Sequence, residues 1–305
     1  MDDQLVKKCL IGLISVSLLG CVITGSETVF KVVLSVLVVF APFAVAWYMN
    51  NTAEIRRLRK KIQDYRPGNW TIRDAGTSCI RPSKVRLGVF GVQDSGKSTF
   101  LNSLHFAYKG AWEQVYIESN TVWPGGETMF RDPAILTDQV ITFDTRGLSD
   151  LSTFRVSDVM DEISGKRGIN PHCRTTGERI DCPIFILKYN SATGIQHCGN
   201  FLSSLVPRIR QEFGSYPIMV VTFANSILNQ YEIVDDITRA GMEKNSLFFI
   251  ENYTALNHEM NSKKHIALLK ILEACIKRAD DTITFRWRKE KEPVVKPEGH
   301  KCKIM

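Results

Sequence analysis

The nine residues "GVQDSGKST", 91–99, place a glycine, four residues, a second glycine, a lysine and a serine in a row. That spacing suits a loop wrapped around phosphate. Gly91 and Gly96 permit backbone conformations that turn successive N–H groups toward phosphate oxygens. Lys97 is long enough to reach the β and γ phosphates, and the Ser98 hydroxyl can ligate Mg2+. Ser95 and Thr99 complete the stretch expected to contact nucleotide. Such a loop needs a strand before it and a helix after it, whose N-terminus adds partial positive charge. Both are foreshadowed: "KVRLGVF" runs into Gly91, and "KSTFLNSLHFA" carries apolar residues at 100, 101 and 104.

A second strand should bring a carboxylate to the ion. "VITFDTRG" supplies it, with Asp144 ending an apolar run where it can hold the Mg2+ shell and Gly147 at the DxxG spacing by which a backbone N–H senses a γ phosphate. Between the two motifs, Thr128 in "GGETMF" is the candidate switch threonine that reaches Mg2+ with triphosphate bound, and Thr121 competes for that role. Many small GTPases place a water-positioning glutamine directly after the DxxG glycine, whereas this chain has Leu148. Gln93 and Asp94, inside the phosphate loop, are then the candidates to orient water, or they merely cap the loop. Guanine is usually read by the carboxylate of N/T-K-x-D, and at that place stand Thr222, Phe223, Ala224 and Asn225. An asparagine oxygen can accept, but its NH2 donates, so it cannot duplicate the paired acceptance of an aspartate. The ligands implied are GTP or GDP with Mg2+.

The elements that must position these residues follow from periodicity. Strand-length apolar runs, "KVRLGVFG", "QVYIES", "QVITFD", "PIFILK", "PIMVVTF" and "LFFIE", alternate with helical patterns at about 97–107, 155–164, 199–213, 234–244 and 263–280. Alternation of this kind predicts an α/β fold, a mostly parallel sheet wrapped on both sides.

At 305 residues and 44% hydrophobic, the chain can bury one core with residues to spare. Its +7 charge is concentrated: residues 54–66 carry six Lys/Arg against two acids, and 286–303 carry seven against three. Charge beside an apolar segment and in a tail favours an anionic membrane surface over nucleic acid, which is not an expected partner. Residues 9–24 and 32–49 are charge-free and apolar, close to the length of a spanning helix, and predict an N-terminal transmembrane hairpin. A signal peptide, with Lys7 and Lys8 before a short apolar core, is the alternative for the first run. The flanking lysines and "RRLRKK" put both ends on the cytosolic side, and short spans suit a thin membrane such as the endoplasmic reticulum. The last four residues, beginning at Cys302, fit a prenylation box, with an unmodified tail as the plain alternative. Eight cysteines without CxxC spacing read as ordinary thiols in a reducing setting, and the set His172, Cys173, Cys182, His197 and Cys198 lacks the gaps of a metal site. The expected organisation is a membrane hairpin over 1–49, a basic juxtamembrane linker over 50–83, a P-loop GTPase domain over 84–284 and a basic tail over 285–305.

Several segments together resemble the interferon-induced protein 44-like family of P-loop GTPases. They are "GVFGVQDSGKSTFLNSL", "FDTRGLSDLSTFRVSDVMDEISGKRGINPHCR", "ERIDCPIFILKYNSA", "MVVTFAN", "ENYTALNHE" and "ILEACIKRADD", spanning about 84–283. The resemblance implies a Ras-like fold, GTP as ligand and a link to innate immune responses. It carries Gly91, Gly96, Lys97 and Ser98 over to phosphate and Mg2+, and Asp144 and Gly147 to the switch. The chain departs from the base motif at Phe223 and Asn225. The function expected is a membrane-anchored GTPase switch that hydrolyses slowly and signals to a protein effector or a second copy of itself. A nucleotide-binding scaffold with little turnover, and a degenerate tether, are the alternatives.

Overall fold

A computed structural model of the chain describes residues 12, 15, 27–70, 82–117, 131–145, 147, 156–166, 178–188 and 196–291. Six strands form one sheet: β1 (Val85–Gly91), β2 (Asp132–Thr137), β3 (Val140–Asp144), β4 (Cys182–Lys188), β5 (Ile218–Thr222) and β6 (Leu247–Phe249). Their order is β2-β3-β1-β4-β5-β6, with every pairing parallel except β2 against β3. This is the α/β arrangement of a Ras-like P-loop domain. The helices are α1 (Glu27–Gln63), α2 (Lys97–Lys109), α3 (Val156–Ser164), α4 (Gln196–Phe213), α5 (Gln230–Arg239) and α6 (Ser262–Lys291).

Alternating side chains send each inner strand into two cores, as a period of two dictates. Val85, Leu87 and Val89 of β1, with Ile184 and Ile186 of β4, pack on α2, α6 and part of α1. Phe90, Phe185, Leu187, Met219 and Val221 face the other way, onto α3, α4 and α5. Strands buried on both faces read as continuous apolar runs, which is why four of them were visible in sequence. The edge strand β2 was not. It starts Asp-Pro and leaves Ile135 exposed, the features of a strand at a sheet margin.

Three expectations are corrected. The run "QVYIES" forms no strand over its described residues: the Asn102 side chain takes the place of a neighbouring strand, its Oδ1 accepting from the N–H groups of Val115 (3.1 Å) and Tyr116 (2.9 Å) while its Nδ2 donates to the Tyr116 carbonyl (2.9 Å). The basic stretch 54–63 is not a linker but the end of α1. Ile55, Leu58 and Ile62 repeat at helical spacing and are buried on α6 and α2, while Arg56, Arg57, Lys60 and Lys61 form the solvated side. Helix α6 runs on to Lys291, past the expected start of the tail, because Arg286 donates to Asp181 Oδ1 (2.6 Å) and to the Ile180 carbonyl (2.9 Å).

Helix α1 changes character along its length. Val38, Phe40 and Phe43 are exposed, and this part of the helix is long and apolar enough to cross a membrane. Thirty-seven residues give about 55 Å of helix, more than a bilayer core needs, and Pro42 lies within the apolar part. The first run of the expected hairpin, apart from Gly12 and Ser15, lies outside the described residues, as does the tail with Cys302. Beyond α1 the chain is clamped by the buried Asp280 of α6, whose carboxylate accepts from Tyr65 Oη (2.5 Å) and from the N–H groups of Gly68 (2.8 Å) and Trp70 (2.9 Å).

Candidate functional site

Between β1 and α2 the chain must turn back on itself in five residues, and glycine makes that turn possible at two points. A Cβ on Gly91 would sit 2.4 Å from the Ile186 carbonyl oxygen of the neighbouring strand. Gly96 is left-handed, φ 86°, as the residue preceding the first turn of α2. Asp94 also adopts a left-handed conformation, φ 57°, which a short polar side chain tolerates better than most. The loop closes on Lys97, whose Nζ donates to the Val92 carbonyl at 3.0 Å. The first N–H groups of α2 have no carbonyl of their own helix to bond, and they lie where this loop ends.

Two charged groups, Lys97 and Asp144, are buried beneath the loop. Ser98 Oγ donates to Asp144 Oδ2 at 2.5 Å, joining the first turn of α2 to the end of β3. Asp144 is 1% exposed and Lys97 7%. Burial pushes the Lys97 ammonium down from its ordinary range, against the pull of the Asp144 and Asp94 carboxylates. Burial likewise pushes the Asp144 carboxyl up, against the Ser98 hydrogen bond and the Lys97 charge. Both groups are strained toward their neutral forms, a cost that a polyanion at Lys97 and a divalent cation at Asp144 would offset.

Gly147 brings the second motif to the first. A Cβ there would approach Gln93 Cα to 2.8 Å and Gln93 N to 3.0 Å, so only glycine lets the two loops touch. Gln93 is half-buried at that contact and Asp94 is exposed. Thr99 lies half-buried in the first turn of α2, its carbonyl accepting from Ser103 Oγ at 2.8 Å. Ser95 is fully buried, and its Oγ has no hydrogen-bond partner among the described residues. Thr128, its competitor Thr121 and Leu148 lie outside them.

Two residues make contacts here that the sequence did not assign to them. Thr222, taken as the opening of the base motif, donates its hydroxyl to the Ser95 carbonyl (2.9 Å) and lies 3.2 Å from the Leu187 carbonyl, tying the phosphate loop to β4 and β5. Thr145 Oγ1 donates to the Val89 carbonyl at 2.5 Å, fastening the start of the second motif to β1. Neither has a spacing signature, since each contact depends on strand order. Beyond Thr222, Phe223 is left-handed at φ 58° and 42% exposed, with Lys188 Nζ 5.1 Å from its ring centroid. Asn225 is exposed in the short helical turn Ala224–Ser226.

The donor set fits a nucleotide triphosphate with Mg2+: a glycine-shaped cradle that side chains would fill, an orphaned buried hydroxyl at Ser95, a buried ammonium, and a hydroxyl–carboxylate pair of oxygen ligands. The sequence matches no protein-family model and no curated protein. Among solved structures, the chain is similar to Toc33 from Arabidopsis thaliana, a dimerization-deficient mutant, at 14% identity and TM-score 0.41, with 67% of this chain and 85% of that one covered. Toc33 in complex with Mg2+ and GMPPNP shows 13% identity and TM-score 0.43, with 75% and 92% covered. The G domain of the T. maritima FeoB iron transporter shows 14% identity and TM-score 0.35, with 64% and 99% covered. Likeness at this level says nothing about a ligand, so the reading of the site rests on its own residues.

Proposed function

We propose that this chain is a membrane-anchored P-loop GTPase that binds GTP with Mg2+, hydrolyses it slowly and acts as a nucleotide-dependent switch. The observation that carries the reading is the 2.5 Å contact of Ser98 with the buried Asp144, beneath a loop that Gly91 and Gly96 shape and Lys97 closes. Lys97 and the N–H groups from Gly91 to Thr99 bind the phosphates, Ser98 and Asp144 hold the ion, and Thr128 joins them in the triphosphate state. Mg2+, when bound, would supply neutralisation of the phosphate charge. Gln93, packed against Gly147, and Asp94 are the groups that orient water. The exposed apolar part of α1 enters the membrane, and the clamp at Asp280 keeps the domain beside it. Prenylation at Cys302, a homodimer or protein effector as partner, an endoplasmic reticulum membrane and a role in innate immunity extend this reading from the sequence.

A second reading, a nucleotide-binding scaffold with little turnover, is favoured by Leu148 at the water-positioning place. The test is to titrate the full chain, in detergent, with fluorescent GTP and ATP in the presence of Mg2+ and then to measure phosphate release. Saturable binding with slow release that falls in Gln93→Ala or Asp94→Ala supports the switch. Binding without release above background supports the scaffold, and no binding of either nucleotide refutes both.

A further inference from the structure

The place where a base-reading carboxylate is expected holds Asn225, and the structure shows a carboxylate delivered there from another strand. Glu251 Oε2 accepts from the backbone N–H of Asn225 at 3.2 Å. The contact follows from sheet geometry. Strands β5 and β6 run parallel with Val221 opposite Phe249, and the Ile250 N–H donates to the Val221 carbonyl at 3.0 Å. The next residue of that segment therefore lies beside the turn that follows β5. The Ala224 N–H donates to the Ile250 carbonyl at 3.3 Å, holding the two segments together immediately before Glu251. The following residue, Asn252, reaches the phosphate loop: its Nδ2 is 3.3 Å from where a Cβ on Gly96 would be. One short segment thus touches both the loop expected to hold phosphate and the turn expected to hold the base.

We infer that Glu251 is the residue that selects guanine, supplying the paired acceptance that Asn225 lacks, with the exposed Phe223 ring as the surface on which the base stacks. The inference rests on the nucleotide-binding reading above. An ionised carboxylate offers about four acceptor positions, so the bond from Asn225 leaves capacity for N1–H and the 2-amino group of guanine. Adenine presents an acceptor at N1 and no 2-amino group. Xanthine presents a carbonyl oxygen where guanine has its amine, which opposes a carboxylate. The Asn225 N–H fixes one carboxylate oxygen, so the side chain is oriented before a base arrives. Lys188, 5.1 Å from the centroid of the Phe223 ring, adds a cation on that ring.

The experiment compares affinities of GTP, ITP, XTP and ATP, each with Mg2+, for the full chain in detergent as wild type, Glu251→Gln and the double variant Glu251→Gln/Asn225→Asp. Glutamine keeps an oxygen for the Asn225 N–H, so the turn survives, but it places an NH2 group toward the base. The wild type is expected to prefer GTP over XTP and ATP, with ITP weaker for want of the 2-amino group. Glu251→Gln should lose about ten- to a hundredfold in GTP affinity while XTP binding holds or improves. Returning a carboxylate at the adjacent position, in the double variant, should restore the preference for GTP. XTP binding and an unchanged melting temperature report that the phosphate site and fold are intact. An unchanged GTP preference in Glu251→Gln, or a wild type that binds GTP and ATP equally, overturns the inference while leaving nucleotide binding standing. Failure of the wild type to bind any of the four overturns the proposed function and this inference together.

Discussion

Replacing Asp280 with alanine should loosen the hold between α1 and the rest of the domain. The carboxylate is fully buried and accepts three hydrogen bonds, from Tyr65 Oη at 2.5 Å, Gly68 N at 2.8 Å and Trp70 N at 2.9 Å. Burial, reinforced by the Asp280 charge, pushes the Tyr65 phenol far above its usual range, so the hydroxyl remains a donor at any working pH. Two of the donors, the phenol and the Gly68 N–H, are buried and would be left without a partner at roughly 1–3 kcal/mol each, so the loss is about 2–6 kcal/mol. Tyr65→Phe removes one donor and leaves the carboxylate its two N–H partners, and should cost only about 1 kcal/mol. A fragment of residues 50–291, which keeps Ile55, Leu58 and Ile62 in the core, allows both variants to be compared by urea denaturation. Amide exchange over 55–70 reports whether α1 lifts from α6. A loss below about 1 kcal/mol for Asp280→Ala, with exchange unchanged, would refute the clamp, because unpaired buried donors cannot be that cheap.

Other perturbations probe the site and the core beneath it. Gly91→Ala puts a methyl group 2.4 Å from the Ile186 carbonyl oxygen, so the loop must shift; nucleotide affinity, measured by fluorescence titration, should fall more than about tenfold, in step with a lower melting temperature. His105, buried with Nε2 3.1 Å from Thr142 Oγ1, is held down to about 4, chiefly by burial. Its folded value lies below the unfolded one, near 6.5, so its contribution is present above that value and lost as pH falls toward about 4; the loss reaches about 3 kcal/mol. Thermal melts across that range should show the acid loss in wild type and a flatter profile in His105→Gln. Asn102→Leu removes all three bonds to Val115 and Tyr116 and should release that segment, read as rapid amide exchange at both residues, with helix α2 still formed.

The features that could be read from the sequence are those set by local spacing. Gly91 to Ser98 follows a fixed interval because one loop must enclose one phosphate group, and the structure forms that turn between β1 and α2. The inner strands announce themselves by apolar runs. What depends on long-range pairing left no such trace. Glu251 and Asn225 are 26 residues apart and meet only because β6 lies parallel to β5. Asp280 and Tyr65 are separated by 215 residues, and nothing near either names the other. The stretch 54–63 misled for a different reason: four exposed basic residues dominated its composition, while three buried apolar ones carried its packing. The repeat Ile55, Leu58, Ile62 and Tyr65, at three- and four-residue steps, was the available signal.

The proposed triphosphate site is tested most directly by calorimetric titration of GTP into the full chain, with Mg2+ present and with Mg2+ chelated, for wild type and Lys97→Ala. The expected result is saturable binding by the wild type, weaker without Mg2+ because the proposed ligands Ser98 and Asp144 would then lack their ion, and weakened by about a hundredfold in Lys97→Ala. Binding that ignores both Mg2+ and the loss of Lys97, or no binding by a folded wild type, would contradict it.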